Sequence, residues 1–305
     1  MEVPAGILDR SDHSGRLAIS GADARPALNA IVTNEVETLQ PGHGVLAAVL
    51  TPKGKMLGDV RILDAGDELL LDMERPALQA VFDAVRHGLV GYDAELHKRT
   101  LQTGLLSLLG PASREVAGAA DLPVEELASV PAQIAGAEVR LVATDLGVDV
   151  LCSADDTAAV HAALVDAGAA EISQEDAEIL RVESGRPRYG VDLDDSVIPQ
   201  EAGLNDRAVS FTKGCYVGQE TVARLFYKGK PNRHLRGLRL SGPAGPGVAL
   251  RLGEREVGTL TSSVVSPALG PIGLALVRRE AEPGAELELA GAEGVTATVV
   301  ALPFA

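Results

Sequence analysis

Apolar positions in the first half of the chain switch repeatedly between a spacing of two and a spacing near four. Arg16–Ser20 reads as a strand, and Asp23 heads an apolar-periodic helix through about Val32, with Pro26 in its first turns. Val45–Leu50 and Met56–Leu63 flank the turn Thr51-Pro52-Lys53-Gly54, which predicts a hairpin. Leu69–Asp72 follows as a strand. Pro76 then opens a helix with Leu78, Val81, Phe82 and Val85 at helical spacing and Gly88 placed to stop it. A similar order recurs downstream. Glu138–Ala143 and Val148–Cys152 read as paired strands, Asp155–Ala167 as a helix, and Ser173 with Asp176 as a capping signal for a helix to about Ser184.

After Lys230 the helical spacing ends. Six strand-like runs replace it: His234–Leu240, Gly247–Leu252, Glu256–Thr261, Gly273–Val277, Glu286–Leu289 and Val295–Ala301. Gly and Pro clusters such as Ser241-Gly242-Pro243-Ala244-Gly245-Pro246 separate them, the pattern of a small antiparallel barrel or sandwich. Hairpins covered by helices on one side predict α+β layers and not a doubly wound parallel sheet. The expected division is a core of two interleaved α/β lobes over 1–230 and a β-barrel domain over 231–305.

Composition narrows the function classes. The chain has 305 residues and a net charge of −16, which argues against a general binder of DNA or of anionic membranes. Two cysteines, Cys152 and Cys215, exclude a disulfide scaffold and a self-contained four-thiolate metal site. Cys152 sits in an apolar run and reads as core. No leader pattern or long apolar run is visible, so the expected location is cytoplasmic. The six histidines lack metal-ligand spacing, so no metal site is expected. Gly42-His43-Gly44-Val45-Leu46-Ala47 matches a loose dinucleotide pattern, but it opens a strand and fails that motif's structural test.

Charge is distributed unevenly. Arg207–Arg239 carries eight basic residues and one acid, Glu220, for +7, whereas Glu171–Asp206 carries −7. Four of the eight aromatic residues also fall in the basic stretch: Phe211, Tyr216, Phe226 and Tyr227. Cations beside scarce rings suit a planar anionic ligand; the alternative is a solvated charged face over core aromatics. Single-stranded RNA fits the same chemistry, which leaves direct RNA binding as a weaker reading. Cys215 lies in Lys213-Gly214-Cys215-Tyr216-Val217-Gly218-Gln219-Glu220, just ahead of a helix expected from about Gly218 to Lys228. A helix N-terminus and a nearby lysine both favour a thiolate, whereas a tight turn would simply bury a small residue.

That eight-residue segment resembles the signature of the YgfZ family of folate-binding proteins, relatives of the aminomethyltransferase T-protein of the glycine cleavage system. Pro199-Gln200-Glu201-Ala202-Gly203-Leu204 is similar to the T-protein stretch whose glutamate binds the pterin. Ile19–Ala24, Val32–Val36, Val257–Ser262 and Ile272–Ala275 resemble further shared segments in the expected order. The resemblance implies a three-lobed ring of two ferredoxin-like α/β lobes plus a C-terminal antiparallel β-barrel, with tetrahydrofolate or a related folate bound centrally. It also implies a role in assembling or repairing iron–sulfur enzymes, including tRNA-modifying ones, with those enzymes or assembly factors as partners.

Within that resemblance, Glu201 would accept the ring N–H and exocyclic amine of a pterin. Tyr189 would form a ring wall or pack as an ordinary core tyrosine. Arg224 or Arg233 would hold the glutamate tail of the folate or pair with the acidic stretch upstream. Lys213 would hold Cys215 as a thiolate or bind the ligand's carboxylates. The main expectation is a folate-binding accessory protein acting through Cys215. The alternative is a tetrahydrofolate-dependent aminomethyltransferase or other one-carbon transferase, with Asp72 or Glu74 as the general acid–base group.

Overall fold

The structure, a computed structural model, describes residues 4–292 and 294–304. Its first elements are β1 (Gly6–Asp9), β2 (Ser14–Ser20), α1 (Ala24–Asn29), β3 (Gly44–Leu50), β4 (Met56–Asp64), β5 (Glu68–Glu74), α2 (Leu78–Gly88) and β6 (Glu95–Lys98). Next come β7 (Thr103–Leu109), α3 (Ser113–Val116), β8 (Ser129–Ile134), β9 (Ala137–Ala143), β10 (Gly147–Ser153), α4 (Thr157–Asp166), β11 (Ala170–Glu171) and α5 (Gln174–Glu183). The short α6 (Asn205–Ala208) and α7 (Gln219–Lys228) precede six further strands. The fold is α+β, with two sheet lobes and a closed barrel.

The first sheet has the order β3-β4-β5-β2-β6 and is antiparallel throughout. Helix α2 covers one face, and close approach there requires a missing side chain. A Cβ at Gly58 would stand 2.6 Å from that of Ala77 and 3.1 Å from a Val81 methyl. Leu17, Ile19, Leu28, Ile62, Leu69, Leu71, Val81 and Val85 are buried in this lobe. Helix α1 ends at Asn29, short of the expected Val32, because β3 captures the chain. Val32 bridges Val49, and the Thr33 amide donates to the Ala48 carbonyl at 3.0 Å.

The second sheet runs β11-β1-β7-β10-β9-β8. Strand β1 lies parallel to β11 and antiparallel to β7, so the earliest strand joins the second lobe. Ile7, Leu106, Leu108, Leu141, Val148 and Val150 form its core with Val160 and Leu164 of α4. Cys152 belongs to that core, and burial pushes its thiol up from the ordinary value.

The two lobes are part of one compact unit, residues 1–174 with 207–219. Residues 175–206 with 220–305 form the other. Residue 230, where the sequence pattern changes, falls between α7 and the first barrel strand and inside this second unit, which takes 175–206 and 220–230 together with the barrel. In the second unit, β12 (Arg233–Leu240), β13 (Ala249–Leu252), β14 (Arg255–Ser266), β15 (Gly270–Arg278), β16 (Glu286–Leu289) and β17 (Thr296–Val300) close a barrel in the order β12-β15-β14-β13-β16-β17. Leu238, Leu250, Leu260, Val277, Leu287 and Val299 fill it. No helix among the described residues is long and apolar enough to cross a membrane.

Candidate functional site

The alternation of β4 puts Gly58, Val60 and Ile62 toward α2 and sends Asp59 and Arg61 to the opposite face. Asp59 is the acid that the sequence reading did not single out. Its Oδ1 is buried with no hydrogen-bond partner among the described residues. Burial pushes its carboxyl up to about 6, with Glu74 and Asp72 adding to the effect and its own backbone amide and Arg207 opposing it. A carboxyl with a free oxygen and a proton exchanged near neutrality is equipped for acid–base work.

Asp72 and Glu74, the expected acids, are engaged elsewhere. Asp72 accepts from Ser14 Oγ and from both Nε and Nη2 of Arg61, the first of these two at 2.7 Å. The other guanidinium nitrogen of Arg61, Nη1, reaches Asp149 Oδ2 at 2.5 Å, and Asp149 Oδ1 accepts from Ser107 Oγ at 2.6 Å. Glu74 pairs with Arg10 at 3.1 Å. Both therefore serve ion pairs that hold the lobes, whereas Asp59 Oδ1 has no such partner among the described residues.

Residues 207–219 are docked on the first lobe. Thr33 Oγ1 donates to the Ala208 carbonyl at 2.5 Å, and the Ser210 amide donates to the Thr33 carbonyl at 3.0 Å. Lys213 then closes the seam. Its Nζ donates to the carbonyls of Asn29 (2.7 Å), Val32 (2.9 Å) and Asn34 (2.6 Å), at and just beyond the end of α1. An ammonium has three donors, so this geometry occupies all of them. It also stands 5.5 Å from the centre of the Tyr216 ring. Burial lowers the Lys213 pKa to about 8, against the pull of Glu35 and Glu37.

The Cys215 thiol, two residues on, is free and exposed. Beyond it Gly218 adopts φ +84, and a Cβ there would come within 2.6 Å of the Thr51 carbonyl. Only glycine meets both demands. The Cys215 loop is thus pinned on one side by Lys213 and on the other by the β3–β4 hairpin, whose second strand carries Asp59. Lys213→Met is expected to lower stability by about 2–3 kcal/mol, as the charged hydrogen bonds are lost and three carbonyls left unpaired. Urea denaturation measures the loss. Limited proteolysis in the same variant should cut first within 210–218, and unchanged proteolysis would contradict the anchoring role.

Glu201 belongs to the second unit and is buried, at 6% exposure. Arg233 donates to it twice, Nε to Oε1 at 3.2 Å and Nη2 to Oε2 at 3.1 Å, and the Ile198 amide adds a longer bond of 3.3 Å. Of the two roles open to Arg233, pairing with the acidic stretch is the one realised. A carboxylate has about four lone-pair sites, so Glu201 retains acceptor capacity beyond these three donors. Its backbone carbonyl accepts from the Leu235 amide of β12 at 2.8 Å, which fixes it against the barrel. Beside Arg233, burial and Arg236 lower the His234 pKa.

Tyr189 is buried at 9% exposure, and its backbone bridges Leu193. That segment is tied to β14 by Asp192, which accepts from Arg181 Nη1 at 2.7 Å, Thr261 Oγ1 at 2.5 Å and Ser262 Oγ at 2.7 Å. Arg224 is exposed on α7 and is not among the donors to Glu201. Helix α7 spans Gln219–Lys228, within a residue of the expected start and ending before Gly229 as expected. Among the described residues no group of three or more His, Cys, Asp or Glu is arranged to hold a metal ion.

The architecture has clear relatives. Residues 2–213 match the family described as the GCVT N-terminal domain, and residues 233–305 match the glycine cleavage T-protein C-terminal barrel domain. The chain is 30% identical over 311 residues to an aminomethyltransferase of Rubrobacter xylanophilus, covering 98% of this chain and 83% of that protein. It is 31% identical over 326 residues to an aminomethyltransferase of Saccharopolyspora erythraea, covering 100% and 88%. The crystal structure of glycine cleavage system aminomethyltransferase T from Bartonella henselae shares the fold with a TM-score of 0.89 and 22% identity, covering 99% of this chain and 87% of that one.

Proposed function

The chain belongs to the glycine cleavage T-protein family, and on that footing we propose that it is a tetrahydrofolate-dependent one-carbon transferase of the aminomethyltransferase class. The observation that carries this reading is Asp59. A buried carboxyl with an unpartnered oxygen and a pKa of about 6 suits a group that holds or releases a proton at an amine nitrogen. Tetrahydrofolate, when bound, supplies secondary amines able to carry a one-carbon unit. Glu201 would accept the paired N–H donors of the pterin through its remaining lone pairs, with Arg233 keeping it oriented. Arg224 would offer charge to the anionic tail. Titration calorimetry with tetrahydrofolate, followed by turnover of methylene-tetrahydrofolate, tests the proposal. No saturable heat and no turnover in folded protein would overturn it.

A second reading rests on the thiol. Cys215 is exposed on a loop that Lys213 and Gly218 hold in place, an arrangement that presents sulfur to a partner. It supports the narrower YgfZ-like role, in which the folate-bound protein serves iron–sulfur enzymes or their assembly factors. Cys215→Ser separates the two readings. Under transferase chemistry alone the variant keeps its turnover and fully rescues a deletion strain. Under the accessory role it binds folate but fails to restore iron–sulfur enzyme activity.

A further inference from the structure

A cleft of about 730 Å³ lies in the two-lobed unit, between the first sheet and the far ends of β8, β9 and β10. It is remote from Asp59 along the strands. Arg61 pairs in register with Asp72, and Asp64 with Leu69, so Glu68 and Leu70 at the cleft stand beyond the ion cluster from Asp59. Leu70, Val139 and Leu151 give the cleft an apolar floor. Two guanidinium groups also line it, and they differ. Arg99 is paired, with Nη2 at 2.8 Å from Glu68 Oε2.

Arg140 is not paired. Its nitrogens make two long contacts, 3.3 Å to Ser129 Oγ and 3.4 Å to the Ala65 carbonyl, and no described carboxylate lies within 4.0 Å of it. Partial burial lowers its pKa, and Asp67, Asp64 and Glu68 act on it only at longer range. Glu68 and Glu138 also line the cleft, but Glu68 is engaged by Arg99, so a partly desolvated guanidinium with no carboxylate in contact can still gain from an anion there. In a chain of net charge −16 an anion would not be drawn to a surface lacking such a local cation.

We infer that this cleft binds a small organic anion, a carboxylate or phosphate carried on a flat or apolar body, with Arg140 gripping the oxyanion and Leu70, Val139 and Leu151 receiving the body. The volume leaves ample room for such a ligand. The inference is independent of the one-carbon reading and of Asp59.

Calorimetry on the full chain with phenyl phosphate and with benzoate tests it, with benzyl alcohol as the body lacking charge and inorganic phosphate as the charge lacking body. The expected result is saturable binding of at least one of the two aromatic anions, with benzyl alcohol and inorganic phosphate much weaker. Arg140→Gln should weaken binding roughly 10- to 100-fold, the worth of a charge-assisted hydrogen bond. Gln133→Trp fills the cleft from an exposed rim position, leaves the core untouched, and should block binding even if Arg140→Gln folds poorly. No saturable heat from either aromatic anion would overturn the inference. So would equal affinity in folded Arg140→Gln and Gln133→Trp.

Discussion

Asp59→Asn is expected to lower kcat of one-carbon transfer by about 10²–10⁴-fold, the usual worth of a positioned acid–base group, while the protein stays folded. In the unsubstituted protein the rate should rise with pH through a midpoint near 6, where the carboxyl loses its proton, and the variant should lack that limb. Stability carries a second signature. The folded pKa of about 6 lies above the ordinary aspartate value of 3.8, so the folded state binds this proton more tightly. The resulting stabilisation is complete below the unfolded pKa and disappears as pH rises through 6. Between pH 5 and pH 8 the unsubstituted protein should lose on the order of 1 kcal/mol relative to Asp59→Asn, measurable by urea denaturation at the two pH values. A variant with unchanged kcat would remove Asp59 from the chemistry, and unchanged pH dependence would remove its proton.

Arg61→Met is expected to be the most destabilising single change, costing about 3–5 kcal/mol. Arg61 bridges Asp72 in one sheet to Asp149 in the other, and both acids are nearly inaccessible, with side-chain exposures of 7% and 3%. Removing the guanidinium leaves two carboxylates facing each other across the lobes with hydroxyls as their remaining partners. Adding Asp72→Asn and Asp149→Asn to Arg61→Met should return much of the loss, since the isolated charges go with them. Burial alone would raise the Asp149 pKa, but Arg61, Arg10 and Ser107 outweigh it and hold the value below the ordinary carboxylate range. A depressed carboxylate stabilises the fold above its unfolded pKa, and that contribution disappears as pH falls through the folded value. The unsubstituted protein should therefore show an acid transition that Arg61→Met lacks. Thermal melts from neutral to acidic pH check both points.

Parts of this architecture were legible in the residue pattern for identifiable reasons. The β3–β4 hairpin announces itself through Thr51-Pro52-Lys53-Gly54 between runs of period two, and the barrel through Gly and Pro clusters between short strands. The pattern gave no strand at β1, β6, β7 or β8. Strand β7, Thr-Gly-Leu-Leu-Ser-Leu-Leu, lies between β1 and β10 and is buried along most of its length, so it shows no alternation to read. Strand β8 contains Pro131, which demotes it as a strand candidate; its place at the sheet edge is what tolerates the proline.

The site divides the same way. Glu201 and Cys215 stand in recognisable motifs, whereas the partners of Lys213 are main-chain carbonyls with no signature of their own. Asp59 was hidden because one acid in an alternating strand resembles a solvent-facing residue. The available signal was the neighbouring Arg61. Two charges at i and i+2 in a strand flanked by Leu57 and Leu63 mark a face that is covered and not wet.

The position of β1 has a consequence for how the polypeptide matures on the ribosome. Gly6–Asp9 emerges first, yet its ladder partners are Leu106–Leu109 and Ala170–Glu171, about 100 and 160 positions later. Those four residues must wait, unpaired, while the intervening sheet assembles, so the second lobe cannot close until its final short strand has been translated. Nascent chains arrested before about residue 170 should thus hold a finished first sheet and a second sheet whose β1 edge is still unsheltered, the stretch most in need of a chaperone.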